Sequence, residues 1–167
     1  MLQDLMTPTW RPVQIDFTSG GSGSATLTLD SQYGICVQNI NARVYASDGT
    51  NPNFLDYTLK DNDIFTIAVS GQGGTNFTGN SSVDLYGWVE AMNSDTKPSN
   101  LWFLPKSTTY TFTVTHSAMS LTANYTASMR VNLTIYGVQT TAETYVEFLQ
   151  QQKYFALKVN EPFIPKR

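Results

Sequence analysis

Apolar and polar side chains alternate strictly along two segments in the second half of the chain. In the run TYTFTVT at 109–115, three apolar residues are separated by four threonines. In the run MRVNLTIY at 129–136, the apolar residues occupy every second position. Because successive side chains of a strand point to opposite faces of a sheet, this period predicts two strands, each with one buried face and one face toward water.

Similar but shorter segments occupy most of the chain before residue 109. Apolar or alternating runs occur at 13–17, 25–29, 35–45, 54–59, 64–69 and 83–92. Turn-forming residues separate them, and the Gly-rich run SGGSGS at 19–24 predicts a hairpin between the first two strands. A long loop is expected at 70–82. Short strands at this spacing predict an all-β fold, a single antiparallel β-sandwich over 13–139, jelly-roll-like, with about eight strands.

The two ends of the chain depart from this pattern. Pro8 and Pro12 predict an extended N-terminal arm over 1–12. Thr140 and Glu143 have the spacing of a capping box, which predicts an amphipathic helix within 140–155, its regular part at 142–154. Two more prolines predict an extended C-terminal tail over 156–167.

Both ends are rich in apolar side chains that need a surface to cover them. They could fold back on their own sandwich or be buried by a neighbouring copy, and the pattern leaves both possibilities open. The candidate subunit contacts are Trp10, Phe148, Phe155, Phe163 and Ile164.

The composition narrows the possible partners. Charged residues make up only 14% of the chain, against about 25% in typical globular proteins. The net charge of −3 and the absence of a basic run argue against nucleic-acid binding. No segment is apolar enough for a membrane span, and the first residues do not resemble a signal peptide, so we expect a cytoplasmic protein or a particle assembled in a host cytoplasm.

The residues give little support for catalysis. One histidine, His116, and one cysteine, Cys36, are too few for a conventional zinc site or a nucleophile–base pair with a recognisable motif. We expect His116 to be a surface residue at a strand end. The run DYTLKDND at 56–63 is a weak match to a calcium loop and is more typical of a polar turn. We therefore predict no enzyme activity, no metal and no cofactor.

Three aromatic residues are candidates for a different kind of contact. Tyr86 and Trp88 fall on the polar face of the strand predicted at 83–92, and Trp102 precedes the next strand. Exposed aromatic rings can anchor subunit contacts, and they can also stack on sugar rings. Of the three interpretations, subunit contact ranks first, burial in the core second and sugar binding third.

The region 102–137 resembles a pattern in small bacteriophage virion proteins. An aromatic-proline segment leads into one alternating strand, and a second alternating strand ends in glycine. The matching residues are Pro105, Ser107, Tyr110, Phe112, Val114, Val131, Leu133, Ile135 and Gly137. The resemblance implies a sandwich or jelly roll that assembles in many copies in a capsid, a vertex or a tail connection.

Together these observations lead to a functional hypothesis. We expect a structural subunit of a bacteriophage particle, located in the virion, whose partners are copies of itself and other virion proteins. The alternative is a carbohydrate- or receptor-binding β-sandwich module that uses Tyr86, Trp88 and Trp102.

Overall fold

The computed structural model of the chain describes residues 7–47, 54–57, 63–71, 81–94, 103–118, 128–144, 146 and 150. The strands are β1 (Thr7–Thr18), β2 (Ser22–Thr28), β3 (Gly34–Ala46), β4 (Leu55–Asp56), β5 (Asp63–Gly71), β6 (Val83–Asp84), β7 (Phe103–Leu104), β8 (Thr109–Ala118) and β9 (Ser128–Thr140). One α-helix, α1 (Leu85–Asn93), lies between β6 and β7.

The strands form two antiparallel sheets, which confirms the predicted all-β sandwich. In sheet A the order is β1-β9-β3-β4, and β7 also pairs with β3. In sheet B the order is β2-β8-β5-β6. The first strand therefore pairs with the last described strand, and the second pairs with the strand before it.

The core lies between the two sheets and follows the alternation in the sequence. Val13, Ile15 and Phe17 of β1 are buried, and the intervening residues of that strand are exposed. The same alternation gives β8 and β9 their buried faces. Burying these side chains stabilises the sandwich by about 25 cal/mol for each Å² of apolar surface removed from water.

The predicted hairpin at 19–24 is wrong. β1 pairs with β9 in sheet A and β2 pairs with β8 in sheet B, so this turn carries the chain from one sheet to the other. Gly20 has a φ of 76°, a left-handed conformation that glycine adopts without a steric penalty. A Gly-rich turn between two strands fits either connection, because the pattern carries no information about which strand lies beside which.

The strand predicted at 83–92 is also wrong, because most of that segment is α1. The carboxylate of Asp84 accepts a hydrogen bond from the Gly87 N–H at 2.6 Å and caps the helix. Leu85 and Trp88 are buried, and Val89 and Met92 pack against the core. These four positions have the i, i+3, i+4, i+7 spacing of a helix face.

The chain ends differ from the prediction where they are described. Residues 7–12 are not a separate arm but the first half of β1, paired with β9. Residues 142–144, 146 and 150 are helical, but β9 extends to Thr140, and Thr141 rather than Thr140 accepts the capping hydrogen bond, from the Thr144 N–H at 3.2 Å. The N-terminal residues 1–6, most of the predicted helix and the tail 156–167 lie outside the described residues.

Candidate functional site

The outer face of sheet A carries an aromatic patch, which we define as Trp10, Tyr136, Pro8 and Pro12. Trp10 of β1 lies directly across from Tyr136 of β9, and the two side chains are 69% and 42% exposed. They belong to the solvent-facing set of the alternation, so folding of the described residues does not cover them. Trp10, one of the candidate subunit contacts, is therefore exposed on the face of β1 and not on a separate arm.

The two prolines determine how this patch can be used. Among the described strands, β1 pairs only with β9, so its other side is a sheet edge. Proline has no N–H to donate, and Pro8 and Pro12 remove two donors from β1. An edge interrupted in this way is a poor template for adding a strand from another chain. A partner that binds at the aromatic patch would therefore contact the outer face of sheet A and not the free edge of β1.

Beside Tyr136, on the side away from Trp10, lies a groove between β3 and α1. It has a volume of about 550 Å³ and is lined by Asn39, Ile40, Asn41, Val89, Asn93 and Tyr136. Asn39 and Asn41 project from the outer face of β3 because they are two residues apart. Asn39 pairs with Tyr136, and the register shifts just beyond this pair, between Tyr136 and Gly137. All six lining residues are uncharged, so the groove suits a neutral polar ligand.

The groove residues were missed in the sequence because their signal is weak. Asn39 and Asn41 occur in the run QNINAR as the polar half of a strand, which is typical of any solvated face. Asn93 reaches the same place only because 83–92 is mostly helical. The one available signal was the helical spacing of Leu85, Trp88 and Met92, which competes with an equally visible alternation.

A second cluster surrounds the only histidine. His116 is 2% exposed, so the expectation that it lies at the surface is wrong. The Gly20 N–H donates to its Nδ1 at 3.1 Å, which requires Nδ1 to be an acceptor. Its Nε2 lies 3.2 Å from Oδ1 of Asp63, and the hydroxyl of Tyr57 donates to the other oxygen of that carboxylate. The imidazole ring stacks on Phe65 with centroids 4.5 Å apart.

Ser19, His116 and Asp63 have the residue types of a hydrolytic triad, but they are not arranged for His116 to activate Ser19. The Ser19 hydroxyl is 3.4 Å from Nδ1, which already accepts the closer Gly20 N–H. A general base needs a free lone pair directed at the nucleophile. The cluster instead ties the turn between the sheets to β5 and β8.

The two predicted sugar-stacking residues that the structure describes, Tyr86 and Trp88, both lie against the core. Trp88 is only 6% exposed and belongs to the core. Tyr86 packs partly against the core, and burial, with the nearby charge of Asp84, raises the pKa of its phenol. Trp102 lies outside the described residues, as do Phe148, Phe155, Phe163 and Ile164. The exposed aromatic residues of the described strands include Trp10 and Tyr136 instead.

The two aspartates of the candidate calcium turn that the structure describes, Asp56 and Asp63, lie in different environments. Asp63 is engaged by His116 and Tyr57, Asp56 is exposed on β4, and Asp61 lies outside the described residues. Within the described ranges no three His, Cys, Asp or Glu side chains are close enough to share a metal ion.

The far end of the outer face of sheet A is charged. Arg130 donates to both carboxylate oxygens of Asp16, at 2.7 and 2.9 Å, and its guanidinium lies 4.1 Å from the centre of the Phe54 ring. The hydrogen bonds from Arg130 lower the pKa of Asp16. The ion pair is solvent-exposed and contributes little to stability. It makes this end of the outer face charged, whereas the described outer-face residues at the end that carries the aromatic patch are uncharged.

Sheet B presents hydroxyl groups on its outer face. Ser24 and Thr113 share a hydrogen bond of 2.8 Å across β2 and β8, and Thr28 and Thr109 share one of 3.1 Å. This is the threonine half of the alternation. It gives the two sheets different surfaces, one hydroxylated and one with exposed aromatic rings.

Comparison of the chain with protein-family models, with curated proteins and with solved structures finds no match. In the part of the chain that the structure describes, none of the helices has the length and hydropathy required to span a membrane.

Proposed function

We propose that the chain is a structural subunit of a virus particle of the bacteriophage type and that it acts by packing against copies of itself and other virion proteins. The observation that carries the proposal is the exposure of Trp10 in the aromatic patch on the outer face of sheet A. Trp10 is the most exposed large apolar side chain among the described residues. Burying one such ring contributes about 2–3 kcal/mol before the cost of association.

The strand order adds support. Among the described strands, the first pairs with the last and the second with the second-last. Sheet A has the order β1-β9-β3-β4 with β7 also paired to β3, and sheet B has the order β2-β8-β5-β6. We propose that this nested pairing reflects a jelly roll, an architecture common among viral capsid proteins and shared by lectin domains and cupins. Since a fold alone does not establish a function, the strand order only favours a proposal whose basis is the exposed patch.

The apolar residues of the C-terminal region belong to the same proposal. β9 ends beside the start of β1, because Thr7 pairs with Gln139. The chain therefore enters and leaves the described body at the same end of sheet A as Trp10. We propose that Phe155, Phe163 and Ile164 are buried by a neighbouring copy.

Light scattering coupled to size-exclusion chromatography tests the role of Trp10. We expect the wild-type chain to form a discrete oligomer over a wide concentration range and Trp10→Ser to shift it to smaller species. The matched control is Leu55→Ser, because Leu55 is 65% exposed on β4 at the opposite edge of sheet A. A wild-type monomer at the highest concentration, or equal behaviour of the two variants, would contradict the proposal.

A further inference from the structure

The groove between β3 and α1 occupies a gap in the edge of sheet A. At one end of β3, Ile35 and Cys36 pair with β7, and at the other end Tyr45 and Ala46 pair with β4. Between these short strands the free side of β3 meets α1 and not another described strand. The result is a recess whose walls are a strand and a helix.

Asn93 fixes the chemistry of this recess. Its Oδ1 accepts from the Ile40 N–H at 2.8 Å, and its Nδ2 donates to the Ile40 carbonyl at 2.6 Å. This pair of bonds replaces the pairing that another strand would make with Ile40. An extended peptide cannot add to β3 at this point, because the backbone groups it needs are occupied. The same bonds hold the Asn93 amide in one orientation, and fixed polar groups lower the entropic cost of binding a ligand.

The remaining lining groups match a sugar. Asn39 and Asn41 are exposed amides, each with a carbonyl acceptor and two N–H donors. A sugar hydroxyl both donates and accepts, so adjacent hydroxyls can bond to both ends of an amide. Tyr136 adds an exposed aromatic ring at the edge of the groove. Small-ligand sites commonly combine an aromatic surface with a small number of polar groups in fixed positions.

We propose that this groove binds a neutral glycan, with hydroxyls bonded by Asn39 and Asn41 and a sugar ring packed against Tyr136. The inference goes beyond the role of the chain as a subunit. In sheet A, Trp10 and the groove lie on opposite sides of Tyr136, since the strand order is β1-β9-β3. A contact through Trp10 leaves the side of Tyr136 that faces the groove open to a ligand.

Saturation-transfer difference NMR on the full chain tests the site, and it works for an oligomer as well as for a monomer. The probes are hexasaccharides of glucose (α- and β-linked), N-acetylglucosamine, galactose and mannose, with sialyllactose as a charged comparison. We expect saturation transfer to at least one neutral probe. Asn41→Ala should weaken its binding about fivefold to tenfold, the effect of losing one or two hydrogen bonds.

The matched control is Gln14→Ala, which removes an exposed amide from the same face of sheet A, on β1. We expect it to bind the probe as the wild type does, and both variants to keep the wild-type unfolding midpoint. Trp10→Ser should change the oligomeric state and leave sugar binding intact, so the two proposals can fail separately. No transfer to any neutral probe at millimolar concentration, preference for sialyllactose, or equal binding by Asn41→Ala and wild type would overturn the inference.

Discussion

At the scale of single residues, His116 is the side chain whose environment differs most from the expectation. It links Gly20, in the turn between β1 and β2, to Asp63 and Phe65, which both lie on β5. Each partner is an ordinary residue in the sequence. Their proximity arises from tertiary packing, because the hydrogen-bonded partners are 96 and 53 positions away from His116.

Replacing His116 with leucine should destabilise the fold by about 2–3 kcal/mol. The substitution keeps an apolar side chain on Phe65, but it removes the acceptor of the Gly20 N–H and the imidazole that contacts the buried Asp63 carboxylate. Urea unfolding measures the loss.

Ser19→Ala is the control for this change. The Ser19 hydroxyl is only a distant neighbour of Nδ1, so we expect a change below about 0.5 kcal/mol. A loss as large as that of His116→Leu would mean that Ser19 holds the cluster together, contrary to the geometry.

At the scale of elements, α1 shows why a strand and a helix can be confused. Its residues satisfy both periods, because Val83, Leu85 and Val89 alternate while Leu85, Trp88 and Met92 follow a helical face. The local cap decides between them. Asp84 binds the Gly87 N–H, and this interaction has no counterpart in a strand.

Asp84→Ala should therefore lower the stability by about 1 kcal/mol, the usual effect of losing an N-cap. Thermal unfolding followed by circular dichroism should show a midpoint lower by about 2–4 °C for a domain of this size.

Asp84→Ser is the matched variant, because a serine hydroxyl can still cap the helix, and we expect it to stay near the wild-type midpoint. An equal loss for the two variants would indicate that the carboxylate matters for a reason other than capping.

The long strands could be predicted from the sequence because alternation is a local property. The segments at 13–17, 64–69, 109–115 and 129–136 all lie in β-strands of the structure. Which strand pairs with which could not be predicted, since any apolar face fits any core. The groove depends on two such unpredictable facts: the pairing of β3 with β9, and the position of Asn93 beside Ile40.

At the scale of the whole molecule, the two sheets meet closely along one side, where β1 and β2 run past each other. Gly23 lies at this crossing. A Cβ atom on it would lie 2.5 Å from the carbonyl oxygen of Asp16 and 3.0 Å from side-chain atoms of Ile15 and Phe17. The two sheets can approach this closely because Gly23 has no side chain.

Gly23→Ala should destabilise the fold by about 1–3 kcal/mol, because the backbone of β1 would have to move. Urea unfolding against the neighbouring Ser24→Ala, which changes an exposed hydroxyl, measures the difference. A neutral Gly23→Ala would show that the sheets can separate here without loss.

The nested order of the strands also constrains how the protein is made. Among the described strands up to Gly71, only the two residue pairs between β3 and β4 can form before the later strands exist, because β8 and β9 lie at the centres of the two sheets. During synthesis on the ribosome, β1, β2, β3 and β5 emerge with their apolar faces complete and their principal partners still untranslated. Closure awaits residues near 140, so the nascent chain is exposed to aggregation for most of its translation, and its many non-local pairings make folding slow.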